Sequence, residues 1–160
     1  MEHARVREAH DILLYYSLPD EVDTHRLIEL LHAEGKNILL PHVVSDTDMV
    51  LCRYAGPESL VSGAYGILEP SMAQQVDIDE VAHYDRLTCI VPGVAFDTAN
   101  ARLGRGRGYY DRMLCMLKER VRDVYLIGIA FDFQIVSNIP CDHHDIRMDE
   151  VINPPVHSLL

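Results

Sequence analysis

Residues 102–112 of this 160-residue chain form a glycine- and arginine-rich run with the sequence RLGRGRGYYDR. The run holds four of the 14 lysine and arginine side chains of a protein whose formal net charge is −11. Glycines let main-chain N–H groups approach a ligand closely, and arginines add forked, charged donors that match phosphate or carboxylate. The pattern predicts an anion site at the centre of an active site, and the alternative is a solvated basic turn.

The run differs from the common nucleotide-binding motifs. The chain has no Walker sequence, and Gly104, Gly106 and Gly108 alternate, which departs from the dinucleotide fingerprint Gly-x-Gly-x-x-Gly. Asp111 falls in the first turn of a predicted helix, where a carboxylate either complements the helix dipole or holds Mg²⁺ beside a phosphate. Asp145 supplies a second Mg²⁺ ligand if the C-terminal part of the chain folds back.

Other polar and aromatic residues are candidates for binding a ligand. Glu21 and Asp23 follow the first predicted strand at its carboxyl end. We expect Asp23 to help cap the next helix, and Glu21 to accept hydrogen bonds from an amide or amine of a ligand. Of Tyr109 and Tyr110, one is expected to pack into the core and the other to line the site, where its ring suits a flat heterocycle.

Apolar runs and helical patterns alternate along the chain, which places these candidates on predicted elements. A helix capped by Thr24 carries an apolar stripe of Leu27, Ile28, Leu30 and Leu31 and ends at Gly35. A second helix covers residues 109–121, and residues 56–80 are expected to be irregular. Buried strands are predicted at residues 11–17, 37–41, 49–54, 87–92 and 125–131, with a short edge strand at 150–152.

Strand, helix and strand with short joints predict a parallel sheet and an α/β fold. Ligands of such sheets bind at the carboxyl ends of the strands, and helix N-termini favour anions there. The run 102–112 lies between a strand that ends near Pro92 and a helix that begins near Tyr109. The predicted position of the run and its composition therefore both indicate an anion site.

The composition favours one globular domain, residues 1–160, with 48% hydrophobic and 24% charged residues. The acidic excess argues against nucleic-acid and membrane-surface binding, and the chain has no apolar run of membrane-spanning length and no signal-peptide core. Four scattered cysteines are expected to be reduced in the cytoplasm, with Cys89 and Cys115 in the core. His143 and His144 are adjacent, and adjacent residues of a strand point to opposite faces, so we interpret them as polar loop residues and not as ligands of one metal ion.

A longer pattern resembles the signature of the 5-formyltetrahydrofolate cyclo-ligase (methenyltetrahydrofolate synthetase) family. It consists of VPGVAFD at 91–97 followed by RLGRGRGYYD at 102–111. The resemblance covers about residues 10–153. Flanking pieces similar in order are DEVDT at 20–24, GILEP at 66–70, Ala130-Phe131 followed by Gln134, His144-Asp145, and DEV at 149–151.

The resemblance implies a three-layer α/β sandwich around a mostly parallel sheet. It also implies ATP-dependent conversion of 5-formyltetrahydrofolate to 5,10-methenyltetrahydrofolate, with ADP and phosphate released. In that mechanism ATP phosphorylates the formyl oxygen, nitrogen 10 (N10) of the folate attacks the activated carbon, and phosphate leaves as the ring closes. We expect a cytoplasmic monomer that binds reduced folate and ATP, and no nucleic acid or membrane.

The resemblance also implies roles for individual residues. Tyr16 and Glu21, with Arg105, Gly106, Arg107, Gly108 and Tyr109, would contact the folate. Arg105 and Tyr109 are the catalytic candidates, and Asp111 and Asp145 would be the Mg²⁺ ligands. The ATP loop would consist of Arg102, Leu103, Gly104, Arg105, Gly106, Arg107, Gly108, Tyr109 and Tyr110.

One feature departs from the family pattern. Family members usually begin a few dozen residues earlier, with a helical segment whose basic residues contribute to ATP binding, and Arg5 and Arg7 do not match it in position. An incomplete gene model, a natural truncation and a non-catalytic descendant are the alternatives. The last predicts a module that binds folate or nucleotide without turnover, and a third function class is an α/β enzyme acting on sugar phosphates or CoA esters.

Overall fold

A computed structural model of the chain describes residues 3–63, 66–143 and 145–153. Its helices are α1 (Ala4–Glu8), α2 (His25–Ala33), α3 (Ile78–Val81) and α4 (Tyr109–Arg120). Single turns of 3₁₀ helix cover Pro57–Ser59, Met72–Gln74 and Asp132–Gln134. The strands are β1 (Asp11–Leu13), β2 (Asn37–Val43), β3 (Met49–Arg53), β4 (Leu60–Ser62), β5 (Leu68–Pro70), β6 (Gln75–Val76), β7 (Arg86–Val91), β8 (Ala95–Asp97), β9 (Arg102–Leu103), β10 (Asp123–Ile129), β11 (Ile135–Val136) and β12 (Glu150–Ile152).

Seven of these strands form the central sheet, in the order β12-β10-β7-β1-β2-β3-β6. The first five run parallel, whereas β3 is antiparallel to β2 and β6 is antiparallel to β3. The prediction of a mostly parallel sheet with β12 at its edge is confirmed. Two smaller sheets, β11-β8-β9 and β4-β5, lie outside it.

Buried side chains of the central strands alternate between two hydrophobic clusters, one on each face of the sheet. Ile12 and Ile38 belong to the cluster that contains α1 and α2 side chains, whereas Leu13 and Leu39 belong to the cluster of α3 and α4. Successive strand residues point to opposite faces, so this alternation gives the predicted three layers. Leu30, predicted for the α2 stripe, is exposed. The helix residues that enter the clusters are Val6, Leu27, Ile28, Leu31, Val81, Met113, Leu114 and Leu117.

The ends of α2 confirm its predicted boundaries and the capping role of Asp23, but the predicted role of Thr24 is wrong. The helix begins after Thr24, but the buried Thr24 hydroxyl donates to the Tyr15 carbonyl at 2.5 Å and does not cap the helix. Asp23 caps it instead, because its Oδ1 accepts from the His25 N–H at 2.9 Å. Gly35, at φ +80°, ends the helix as predicted.

Three further expectations are corrected. Residues 56–80 are not irregular throughout, because they contain the β4–β5 hairpin, β6 and α3. The strand predicted at 11–17 ends at Leu13, although Leu14 and Tyr15 remain buried. Cys89 is buried as expected, but Cys115 lies on the exposed side of α4. Within the described ranges no helix is long and apolar enough to cross a membrane.

Candidate active site

The glycine- and arginine-rich run begins as β9 and ends as the first turn of α4. Between them, Gly106 (φ +95°) and Gly108 (φ +69°) take up left-handed backbone conformations that favour glycine. Gly108 directly precedes α4, and a Cβ at this position would lie 2.9 Å from Nη1 of Arg112. These glycines therefore allow the chain to turn tightly into the helix while the Arg112 guanidinium folds back over the turn.

A cleft of about 710 Å³ lies where β1, β2 and β7 end. Its walls include Tyr15 and Tyr16 after β1, residues 41–43 at the end of β2, and residues 92–94 after β7. The cleft therefore occupies the carboxyl edge of the parallel strands, as expected from the fold class. The site residues proposed from the sequence all line it: Tyr16, Glu21, residues 102–110, Asp111 and Asp145.

Arg102 forms part of the wall of this cleft. Its Nε donates to the Pro92 carbonyl at 2.6 Å, and its guanidinium lies 4.9 Å from the ring centroid of Tyr110. Tyr110 packs against the α4-side cluster, and burial raises the pKa of its phenol, so that the group stays protonated at neutral pH. Burial also lowers the pKa of Arg102. Arg102 thus joins the run to the segment after β7.

Two other arginines of the run pair with carboxylates from distant segments of the chain. Nη2 of Arg105 lies 3.2 Å from Oδ2 of Asp20, and Nη1 of Arg107 lies 3.3 Å from Oδ1 of Asp46. All four side chains are more than half exposed. Exposed ion pairs contribute at most about 1 kcal/mol, so a phosphate ligand can replace these carboxylates.

The β2–β3 turn, residues 44–48, holds the run from the opposite side. The Tyr109 hydroxyl donates to the Ser45 carbonyl at 2.7 Å, and Nη2 of Arg112 donates to the Thr47 carbonyl at 2.7 Å. Nη1 of Arg112 also donates to the Arg107 carbonyl at 2.9 Å. With the Arg107–Asp46 pair, three consecutive turn residues contact the run.

Tyr16 and Glu21 lie in the segment that follows β1. The Tyr16 ring stacks on His25, with 3.9 Å between the ring centroids. Oε1 of Glu21 accepts from the Leu18 N–H at 2.8 Å, and burial raises the pKa of the Glu21 carboxyl against the opposing effects of that hydrogen bond and of Arg105. A half-buried carboxylate beside an aromatic ring can recognise N–H groups of a heterocycle.

Asp111 and Asp145 line the same cleft because the C-terminal segment folds back to α4, as the sequence analysis required. The Ile146 N–H donates to Oδ1 of Asp111 at 3.5 Å, and the Asp142 N–H donates to Oδ2 of Asp145 at 3.0 Å. Within the part of the chain that the structure describes, the other oxygen of each carboxylate makes no hydrogen bond. His143 lies in the turn before Asp145, and His144 falls outside the described residues.

The two carboxylates fit a Mg²⁺ ion that takes its other ligands from elsewhere. Among the described residues no group of three or more histidine, cysteine, aspartate or glutamate side chains could hold a metal. Mg²⁺ usually keeps several waters and binds through one or two carboxylates plus substrate phosphates. Asp111 and Asp145, in the same cleft as the arginines, match that incomplete protein shell.

Comparison with known proteins agrees with this site. A model of the 5-formyltetrahydrofolate cyclo-ligase family matches residues 1–154. The chain belongs to this family. The cyclo-ligase resemblance carried by residues 91–111 is thereby confirmed.

Individual cyclo-ligases are similar over most of their length. The chain is 33% identical over 154 residues to the probable 5-formyltetrahydrofolate cyclo-ligase of Schizosaccharomyces pombe, covering 90% of this chain and 74% of that protein. It is 33% identical over 157 residues to the Escherichia coli K12 cyclo-ligase, covering 96% and 83%. The NMR structure of Aquifex aeolicus 5,10-methenyltetrahydrofolate synthetase matches with a TM-score of 0.69 at 33% identity, covering 95% and 72%.

The sequence analysis missed several residues that either contact the arginine-rich run or line the cleft. Asp20 and Asp46 were given no role, and Arg112 was counted in the run without one. Asp46 follows the end of β2 just as Glu21 follows β1, so the carboxyl-end rule could have identified it. His42 and Glu69 also line the cleft. No motif in the sequence marks these two residues as part of a site.

Proposed function

We propose that this chain catalyses the ATP-dependent cyclisation of 5-formyltetrahydrofolate to 5,10-methenyltetrahydrofolate, with release of ADP and phosphate. The observation that supports this most is the convergence of the arginine-rich run, two carboxylates and the Tyr16–Glu21 segment in one cleft of a cyclo-ligase-family chain. The chemistry asks for such a site. A formyl oxygen leaves poorly, whereas a phosphorylated one leaves as phosphate, so the protein must mainly position two substrates and neutralise charge.

Residues 102–110 bind the ATP phosphates in this proposal. Arg105 and Arg107 release Asp20 and Asp46 and donate to phosphate oxygens instead. Arg105 stabilises the charge that develops on the phosphoryl group during transfer. Tyr109, held by its hydrogen bond to Ser45, keeps its ring against the folate and fixes the end of the ATP loop.

Asp111 and Asp145 would hold Mg²⁺ next to the phosphates. The ion, when bound, supplies positive charge that offsets the phosphate oxygens. The chain's own contribution is to keep the two carboxylates together through the Ile146–Asp111 and Asp142–Asp145 hydrogen bonds. Without this charge balance, carboxylates beside a triphosphate would repel it.

The folate lies between the Tyr16–Glu21 segment and residues 105–109. The Glu21 carboxylate accepts hydrogen bonds from N–H groups of the pterin, and the Tyr16 ring, backed by His25, packs against the substrate. The protein works as a cytoplasmic monomer with ATP and reduced folate as its partners and binds neither nucleic acid nor membrane. A net charge of −11, in a chain whose cleft is lined by the arginines Arg102, Arg105 and Arg107, supports this partner set.

Product formation tests the proposal. Purified protein is mixed with 5-formyltetrahydrofolate and MgATP, and the near-ultraviolet absorbance of methenyltetrahydrofolate is followed. We expect product only when both substrates are present. Tight folate binding without product would contradict the proposal and indicate a non-catalytic binding module.

A further inference from the structure

His42 and Glu69 form a polar pair in an otherwise apolar part of the cleft wall. His42 is the last residue but one of β2, and Glu69 is the central residue of β5. Nδ1 of His42 lies 3.9 Å from Oε2 of Glu69. The surrounding cleft residues are Pro41, Val43, Met49, Ile67, Leu68 and Pro70.

The His42 ring is almost buried but lacks hydrogen bonds. Its side chain is 12% exposed, and Nδ1 is inaccessible to solvent and has no hydrogen-bond partner. Nε2 makes no hydrogen bond to any described residue either, and it is not among the buried unpartnered atoms, so it keeps some exposure in a residue that lines the cleft. A buried ring nitrogen without a partner costs stability, and a catalytic role is one of the reasons for which folded proteins keep such a group.

The β4–β5 hairpin brings the Glu69 carboxylate to this ring. The hairpin closes where the Gly63 N–H donates to the Ile67 carbonyl at 2.7 Å. A Cβ on Gly63 would lie only 2.5 Å from the Glu69 carboxyl carbon, so glycine leaves the room that the carboxylate occupies. The Glu69 side chain is 43% exposed, and at 3.9 Å its Oε2 is too far from Nδ1 for a hydrogen bond. If this carboxylate moves closer and accepts a hydrogen bond from Nδ1, Nε2 is the ring nitrogen left to accept a proton.

His42 is close in sequence and space to the ATP loop. Ser45, three residues further on, accepts the hydrogen bond of Tyr109. His42 is also the sole imidazole among the described residues that line the cleft. The other charged groups facing this space are Glu69 on β5, Glu21 after β1, the Arg102, Arg105 and Arg107 guanidiniums of the run, and the carboxylates Asp111 and Asp145.

We propose that His42 is the general base of ring closure and that Glu69 positions it, an inference that rests on the proposed function. The N10 lone pair forms the new bond to the activated carbon, and the C=N5 π pair returns to N5. Nε2 of His42 takes the N10 proton. The C–O bond then breaks, phosphate leaves with that bonding pair and the former formyl oxygen, and a nitrogen lone pair completes the methenyl cation. Glu69 stabilises the imidazolium until its proton passes to solvent.

The variants His42→Gln and Glu69→Gln test this assignment, with the exposed His83→Gln as the matched control. We expect His42→Gln to lower kcat about 100-fold and Glu69→Gln roughly tenfold, with KM values for ATP and folate nearly unchanged. In the first turnover, His42→Gln should still release ADP in a burst while methenyl product forms slowly.

The outcomes separate this inference from the proposed function. If the wild-type protein forms no methenyl product, the proposed function is wrong. If the wild-type protein is active and His42→Gln forms methenyl product at the wild-type rate, phosphate or solvent takes the proton and the assignment of His42 is wrong. Thermal unfolding shows whether His42→Gln is folded. If it is not, Glu69→Gln becomes the test, and an unchanged kcat in that variant contradicts the inference.

Discussion

Nη2 of Arg112 donates to the main-chain oxygen of Thr47 at 2.7 Å, and this hydrogen bond joins α4 to the β2–β3 turn. The same guanidinium donates from Nη1 to the Arg107 carbonyl at 2.9 Å and lies 5.6 Å from the ring centroid of Tyr109. One side chain thus connects the helix, the turn and the glycine-rich run. Arg112 does not itself line the cleft, so it acts on ligands through the run.

Arg112→Ala should raise KM for MgATP about tenfold. The two charged hydrogen bonds of this exposed side chain stabilise the conformation of the run by about 1–2 kcal/mol, and the variant loses them. Steady-state kinetics with each substrate varied in turn measures the change. Arg120→Ala is the control, since Arg120 lies on the same helix and pairs with Asp79 at 3.0 Å, away from the cleft. Equal KM values in the two variants would show that Arg112 has no positioning role.

Asp111→Asn should lower Mg²⁺-dependent turnover by about two orders of magnitude while the protein stays folded, because one of the two proposed carboxylate ligands is lost. Activity measured over a Mg²⁺ titration, together with thermal unfolding, separates metal affinity from stability. Glu119→Gln makes the same charge change on an exposed part of α4 and should leave the titration unaltered. Full activity of Asp111→Asn at every Mg²⁺ concentration would refute the metal assignment.

Arg105→Ala and Asp20→Asn should change KM for ATP in opposite directions. The first removes a donor to both ligands and should raise both KM values. The second frees Arg105 from its 3.2 Å ion pair and should lower KM for ATP about two- to threefold, since exposed pairs are worth less than about 1 kcal/mol. Asp85→Asn controls for net charge, because this exposed residue does not line the cleft. A higher KM in Asp20→Asn would show that Asp20 supports binding.

Glu21 should make both stability and folate affinity depend on pH. Burial raises its pKa in the folded protein, so folding favours the protonated form. The stabilisation this gives is complete below the ordinary glutamate pKa and is lost as pH rises through the raised pKa. Glu21→Gln should therefore unfold at a higher temperature than wild type at neutral pH, with no difference in acid.

Folate affinity should depend on the Glu21 charge in the opposite sense to stability: ionised Glu21 lowers stability but strengthens folate binding. KM for folate in the wild-type protein should rise as pH falls through the raised pKa, because the carboxylate that accepts the pterin N–H groups is lost. Glu21→Gln should have a high KM at every pH. A folate KM that does not respond to this substitution would exclude Glu21 from the folate site.

The sequence predicted those elements that carry long local patterns. β2 and β10 contain the apolar runs 38–41 and 124–129, and α4 follows from the spacing of Met113, Leu114 and Leu117. The β4–β5 hairpin was missed because each of its strands has only three residues and most of their side chains are partly or fully exposed. Thr24 marked the start of α2 correctly, but burial turned its hydroxyl to Tyr15.

The candidate site was predictable where one segment holds its residues, and less so where distant segments meet. The glycines and arginines of 102–111 are contiguous, so their composition already indicated an anion site. The partners Asp20 and Asp46 lie 85 and 61 residues from their arginines, and only the folded sheet brings them together. The contact of His42 with Glu69 likewise depends on how the β4–β5 hairpin packs against β2.

Methenyl product formation by the wild-type protein tests the central claim most directly. With 5-formyltetrahydrofolate and MgATP, we predict a rise in the near-ultraviolet absorbance of methenyltetrahydrofolate, with one ADP released per product and no reaction when ATP or Mg²⁺ is withheld. The contrary result is a folded protein that binds folate but forms no methenyl product. That result would mean that the arginine-rich cleft binds its ligands without catalysing the reaction.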